Sequence, residues 1–84
     1  MRADMKPEEM KKLVEGAIPD SRVEVRSDDG RHFTTRVIAA AFEGVAPVER
    51  HRRIYAALGG QVGSAIHALS VQAFTPDEWE RRGR

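Results

Sequence analysis

The sequence predicts an α+β domain in which helices pack on a three-stranded mixed sheet, in the order helix, strand, strand, helix, short helix, strand, helix (αββααβα). Three observations carry this expectation. Apolar residues recur at helical spacing in two stretches, Met10 to Ala17 and Val48 to Leu58. Apolar and charged residues alternate from Ser21 to Arg26, and Asp28-Asp29-Gly30 follows as a hairpin signal between antiparallel strands. The second helical stretch then separates strand two from the apolar run Ile66 to Phe74, and a helical crossover lets those two strands pair in parallel with a right-handed connection.

Each element has its own local reason. Pro7, Glu8 and Glu9 place proline and acids in a first helical turn, Met10, Leu13, Val14 and Ala17 form the stripe, and Pro19 stops the run, so helix one ends near Gly16 to Ile18. In strand one Val23 and Val25 share a face opposite Arg22, Glu24 and Arg26. His32 to Ala40 reads as strand two, and Phe42 to Pro47 as a connection. Helix two runs from Pro47 to Leu58 with a stripe of Val48, His51, Arg52, Tyr55 and Leu58, widened by Ile54 and Ala57, and Gly59-Gly60 closes it. Gln61 to Ala65 has room for one more helical turn, and Ile66 to Phe74 is strand three. Thr75-Pro76-Asp77-Glu78 combines an N-cap with proline and acids, opening a short last helix on which Trp79 is an anchor over residues such as Leu69 or Tyr55.

Composition narrows the function classes. Eighty-four residues make a single domain over 1–84, too short to enclose a deep catalytic cleft. No apolar run approaches the roughly 20 residues of a membrane span, and Met1 to Lys6 has no signal-peptide core, so a cytoplasmic location without membrane contact is expected. The net charge of +1 gives no long-range field toward nucleic acid, so such binding needs a local patch. With no cysteine in the chain, disulfides and thiolate metal sites are excluded, and histidine is the strong transition-metal ligand type that remains. His67 stands at the start of strand three and His32 at the start of strand two. If those strands are parallel neighbours, both imidazoles emerge at the same edge of the sheet, although the register itself is not legible in sequence.

Four segments together resemble the BolA family: Phe42-Glu43-Gly44, Val48 to Tyr55, Ile66-His67-Ala68-Leu69-Ser70-Val71, and Thr75-Pro76-Asp77-Glu78-Trp79. They stand in the family's order and spacing, and the resemblance covers roughly Val23 to Trp79, with the short Asp28 to Phe33 stretch similar to compact bacterial members. It implies a KH-like domain of the second topological type, partnership with a monothiol glutaredoxin, and a shared bridging 2Fe-2S cluster to which the glutaredoxin brings a cysteine and glutathione. His67 matches the family's histidine ligand, and His32 is the His or Cys available in the loop region from which the second ligand comes. Imidazole in place of thiolate removes negative charge from a cluster and raises its potential, and it coordinates only when neutral.

The alternative that the same resemblance implies is a KH-like nucleic-acid-binding transcriptional regulator of stress response and cell morphology. Arg50, Arg52 and Arg53 on helix two, with Arg81, Arg82 and Arg84, would contact phosphates, and DNA would be the partner. Gly60-Gln61-Val62-Gly63 fits the Gly-x-x-Gly pattern of KH loops but holds no basic residue. An enzyme is not expected. Asp28 and Asp29 with His32 offer at most a weak hard-metal or zinc site, and nothing sets a nucleophile beside a base. Alone, the domain is expected to be a monomer or a weak dimer.

Overall fold

The computed structural model describes residues 6–59 and 68–82. Its elements are α1 (Pro7–Ala17), β1 (Ser21–Arg26), β2 (His32–Ala39), a 3-10 turn (Ala40–Phe42), α2 (Pro47–Leu58), β3 (Ala68–Phe74) and α3 (Pro76–Arg82). The extra turn predicted over Gln61 to Ala65, and the first two residues of the predicted third strand, lie outside the described residues. No described helix is long and apolar enough to cross a membrane.

The sheet order is β1-β2-β3. β1 runs antiparallel to β2, from Ser21 opposite Ala39 to Arg26 opposite Thr34. β3 runs parallel to β2, from Ala68 opposite His32 to Phe74 opposite Ile38. The sheet is therefore mixed, with β2 in the middle, as the hairpin and the helical crossover require.

One face of this sheet carries the core. Phe33, Val37 and Ala39 of β2 and Val23 of β1 are buried in one cluster with Met10 and Val14 of α1, Ile18 just after it, Ile54 and Leu58 of α2, and Phe42. Period-2 alternation sends Phe33, Thr35 and Val37 inward and leaves His32 and Thr34 exposed on the other face. Strand two ends one residue earlier than expected, because Ala40 to Phe42 tighten into the 3-10 turn that drives Phe42 into the core.

The inward stripe of α2 differs from the sequence expectation. Arg50, Ile54 and Leu58 are buried, whereas Val48 is 65% exposed and Tyr55 42% exposed. The stripe is rotated because Arg50 has an internal set of acceptors and takes a core-facing position that hydropathy assigns to Val48. Trp79 also differs. It lies on the second face of the sheet, its ring centroid 5.4 Å from that of Phe74 in a tilted arrangement and the Arg36 guanidinium 4.4 Å from its ring, and so does not cover Leu69 or Tyr55.

Candidate functional site

The start of the parallel β2/β3 pair is the candidate site. Its position follows from register: the Ala68 amide donates to the Arg31 carbonyl at 3.2 Å, which sets His32 directly across from Ala68. His67 precedes Ala68 in the chain but lies outside the described residues, as does the Gly60 to Gly63 segment.

His32 is held by the hairpin rather than by the core. In the loop after β1, Gly30 at φ +76° makes the left-handed step that residues with a side chain rarely take. Its amide donates to Ser27 Oγ at 2.9 Å. Asp29 then organises the return into β2: its Oδ1 accepts the amides of Arg31 at 2.8 Å and His32 at 2.9 Å. Its Oδ2 lies 2.7 Å from His32 Nδ1. The His32 amide, the Arg31 amide and the His32 ring, in that order, hold the Asp29 carboxyl well below the usual carboxylate range. The imidazole is 70% exposed and stands over an open groove shared with Arg26, Thr34, Ala68 and Ser70.

The described residues offer a metal one donor here, a single imidazole nitrogen. A carboxylate engages one ring nitrogen of an exposed imidazole, and the other nitrogen has no described partner. Among the described residues there is no group of three or more His, Cys, Asp or Glu that could hold a metal ion. Asp28, Asp29 and His32 therefore do not form the hard-metal site weighed from sequence, because Asp29 spends its oxygens on two amides and the ring.

The arginines separate into different roles. Arg50 is 8% exposed, and its Nε donates to the Val45 carbonyl at 2.8 Å. Its Nη1 donates to Ala73 O at 3.2 Å and Glu78 Oε1 at 2.7 Å, while Nη2 reaches Glu78 Oε2 at 3.3 Å. This forked pair is a structural tie between α2, the end of β3 and α3. Arg50 is thus removed from the exposed basic patch expected on helix two. Arg52 and Arg53 are exposed, in loose contact with Glu49 at 3.7 and 3.8 Å. Arg81 pairs with Asp77, and Arg82 lies over the Phe74 ring. Arg84 lies outside the described residues.

Two residues central to this geometry, Asp29 and Glu78, were not legible as such in the sequence. Asp29 had a signal in its spacing, since an Asp two and three residues before strand amides is placed to accept them. Glu78 had the Thr-x-x-Glu capping-box pattern, which forms here with Thr75 N donating to Glu78 Oε1 at 2.8 Å and Glu78 N to Thr75 Oγ1 at 3.1 Å. The same carboxylate also receives Arg50, a partner 28 positions away.

The BolA-like protein family model matches residues 5–78, nearly the whole chain and every described element up to the first turn of α3. The chain belongs to the BolA family. A solved BolA homologue from Coxiella burnetii is similar at TM-score 0.79 and 41% identity, over 92% of this chain and 99% of that one. Human BolA-like protein 1 is 34% identical over 80 residues, which cover 84% of this chain and 58% of the human protein, so this chain spans little more than half the length of that relative. The Haemophilus influenzae protein named DNA-binding transcriptional regulator BolA is 41% identical over 49 residues, 58% of this chain and 48% of that protein. The αββαβα order of the described elements is the family's α+β fold.

Proposed function

We propose that this BolA-family chain is an adaptor that partners a monothiol glutaredoxin and shares a bridging 2Fe-2S cluster with it, in cluster assembly, trafficking or iron and redox sensing. His67 and His32 would hold iron on this side, and the glutaredoxin would supply cysteine and glutathione on the other. When bound, the cluster supplies a one-electron centre whose potential is raised by imidazole ligation and whose transfer is eased by ligands split between two proteins. The observation that carries the reading is the parallel register that sets His32 opposite Ala68, the residue after His67. This chain's own contribution is to fix the His32 ring in an exposed position, beside a groove lined by Arg26, Thr34, Ala68 and Ser70, where a partner can reach it. The test is co-expression with the cognate monothiol glutaredoxin and visible absorption and circular dichroism of the complex. His67→Ala and His32→Ala should each change or abolish the cluster spectrum, and an unchanged spectrum in His67→Ala overturns the assignment.

A second reading, nucleic-acid binding, is favoured by one relative's name as a DNA-binding regulator and by the exposure of Arg52 and Arg53 on α2. Without Arg50 that patch is small, and Glu49 lies beside it. Salt-dependent DNA affinity that falls in the Arg52→Ala/Arg53→Ala double variant would favour this reading, because phosphate contacts are lost with rising salt.

A further inference from the structure

We infer that Asp29 is a positioning residue that selects the tautomer of His32, so that Nε2 is the atom this imidazole presents to iron. The inference rests on the cluster-sharing reading and adds to it which nitrogen binds and what fixes it. An ionised carboxylate only accepts hydrogen bonds, so the 2.7 Å contact between Asp29 Oδ2 and His32 Nδ1 requires the proton on Nδ1. A neutral imidazole carries one ring proton, and Nε2 is then left as a bare lone pair. The arrangement is a carboxylate behind a histidine, which orients the ring and raises the basicity of its free nitrogen.

The carboxylate is itself anchored. Oδ1 accepts two consecutive backbone amides, of Arg31 and of His32, so the group that selects the tautomer is tied to the same residue whose ring it orients. The anchor lies three residues before the ring, within one loop, and needs no contact from the core. The Ala68 amide to Arg31 carbonyl bond then joins that loop to the first residue of β3. Asp29 thus couples the direction of the His32 ring to the strand edge at which the second histidine's segment begins.

Asp29→Asn separates this role from a merely structural one. Asparagine keeps an oxygen for the two amides but places an amide NH2 where Oδ2 faces Nδ1. A donor at that point favours the tautomer with the proton on Nε2, the atom needed for coordination. Long-range 1H–15N correlation of the free protein at pH about 8, where an ordinary imidazole is neutral, should show Nδ1 protonated in the wild type and Nε2 protonated in Asp29→Asn. Amide shifts outside the hairpin should stay fixed. In the glutaredoxin complex, Asp29→Asn should weaken cluster retention on the order of 10-fold, the usual scale for losing an outer-sphere partner of a ligand. Its spectrum should move in the direction of His32→Ala. An Nε2-protonated wild type, or the same tautomer in both proteins, overturns the inference, and so does an unchanged cluster spectrum in Asp29→Asn when His32→Ala alters it. If His32→Ala itself leaves the cluster spectrum unchanged, His32 is not a ligand, and the parent reading falls in that part together with the inference.

Discussion

The two ends of the parallel β2/β3 pair carry the same device with opposite outcomes. At the far end, Glu78 accepts the Thr75 amide and the forked guanidinium of Arg50. At the near end, Asp29 accepts two amides and one nitrogen of His32. In both, a carboxylate satisfies backbone donors at an element terminus and fixes a basic side chain. The difference lies in what remains of the base. Arg50 is buried, with its donors directed at Val45, Ala73 and Glu78, whereas His32 is exposed and keeps a nitrogen free of described partners. The first arrangement is structure alone, and the second is structure with a valence to spare.

Arg50→Ala should break the far end most severely. It leaves the Val45 and Ala73 carbonyls without their donor and vacates a core-facing position, at a cost of about 2–4 kcal/mol. At roughly 4–8 °C per kcal/mol for a domain of this size, calorimetry should show Tm falling by more than ~8 °C. A smaller loss would mean the tie is ornamental, and the contrast between the two ends would fail.

Next is acid. The Arg50 guanidinium first, then the Thr75 amide, pull the Glu78 pKa down from an ordinary 4.5 to about 2. A carboxyl depressed in the fold contributes stability above its unfolded pKa and loses it as pH falls through the folded one. Wild type should therefore lose stability progressively between pH 4.5 and 2, and Glu78→Gln should flatten that part of the profile. A Glu78→Gln profile as steep as that of wild type would remove Glu78 from the tie.

Between the two ends lies a polar group with no such arrangement. The Thr35 hydroxyl on β2 is fully buried and finds no hydrogen-bond partner among the described residues. Thr35→Val keeps the shape and removes the unpaired group, so chemical denaturation should show a gain on the order of 1 kcal/mol. A loss would indicate that the hydroxyl is paired after all. The smallest effect on stability belongs to Asp29→Ala, where loop amides and ring remain in contact with water. Its Tm should move less than that of Thr35→Val, while hydrogen exchange at the Arg31 and His32 amides should accelerate. A Tm drop comparable to Arg50→Ala would erase the distinction between the ends.

Much of the fold was legible because local patterns and tertiary demands agree. The boundaries of β1 and α2 follow from Val23/Val25 alternation and from Pro47 and Gly59, each a residue whose backbone preference marks a terminus. The inward face of α2 departs from hydropathy for a physical reason. Hydropathy treats arginine as outward-facing, yet Arg50, Ile54 and Leu58 repeat at i, i+4 and i+8, and a guanidinium goes inward when three acceptors meet it. Trp79 was expected over Leu69 or Tyr55 because nothing in the last helix says which sheet face it crosses; Phe74 and Arg36 decide that.

For the candidate site, the sequence by itself determined which donor types are available: the chain has no cysteine, and His32 and His67 each come directly before or at the start of an apolar run. It also determined the family, through segments whose order and spacing survive translation into helices and strands. The parallel direction of β3 was already expected from the crossover, but only the tertiary structure decided the register that sets Ala68 opposite His32, that Asp29 folds back on the ring, and that Arg50 is engaged by Glu78. Register and side-chain pairing depend on contacts between residues distant in the chain, and a strand pattern that repeats every two residues is compatible with several alignments. The pairing that wins is the one that satisfies the backbone and the core together.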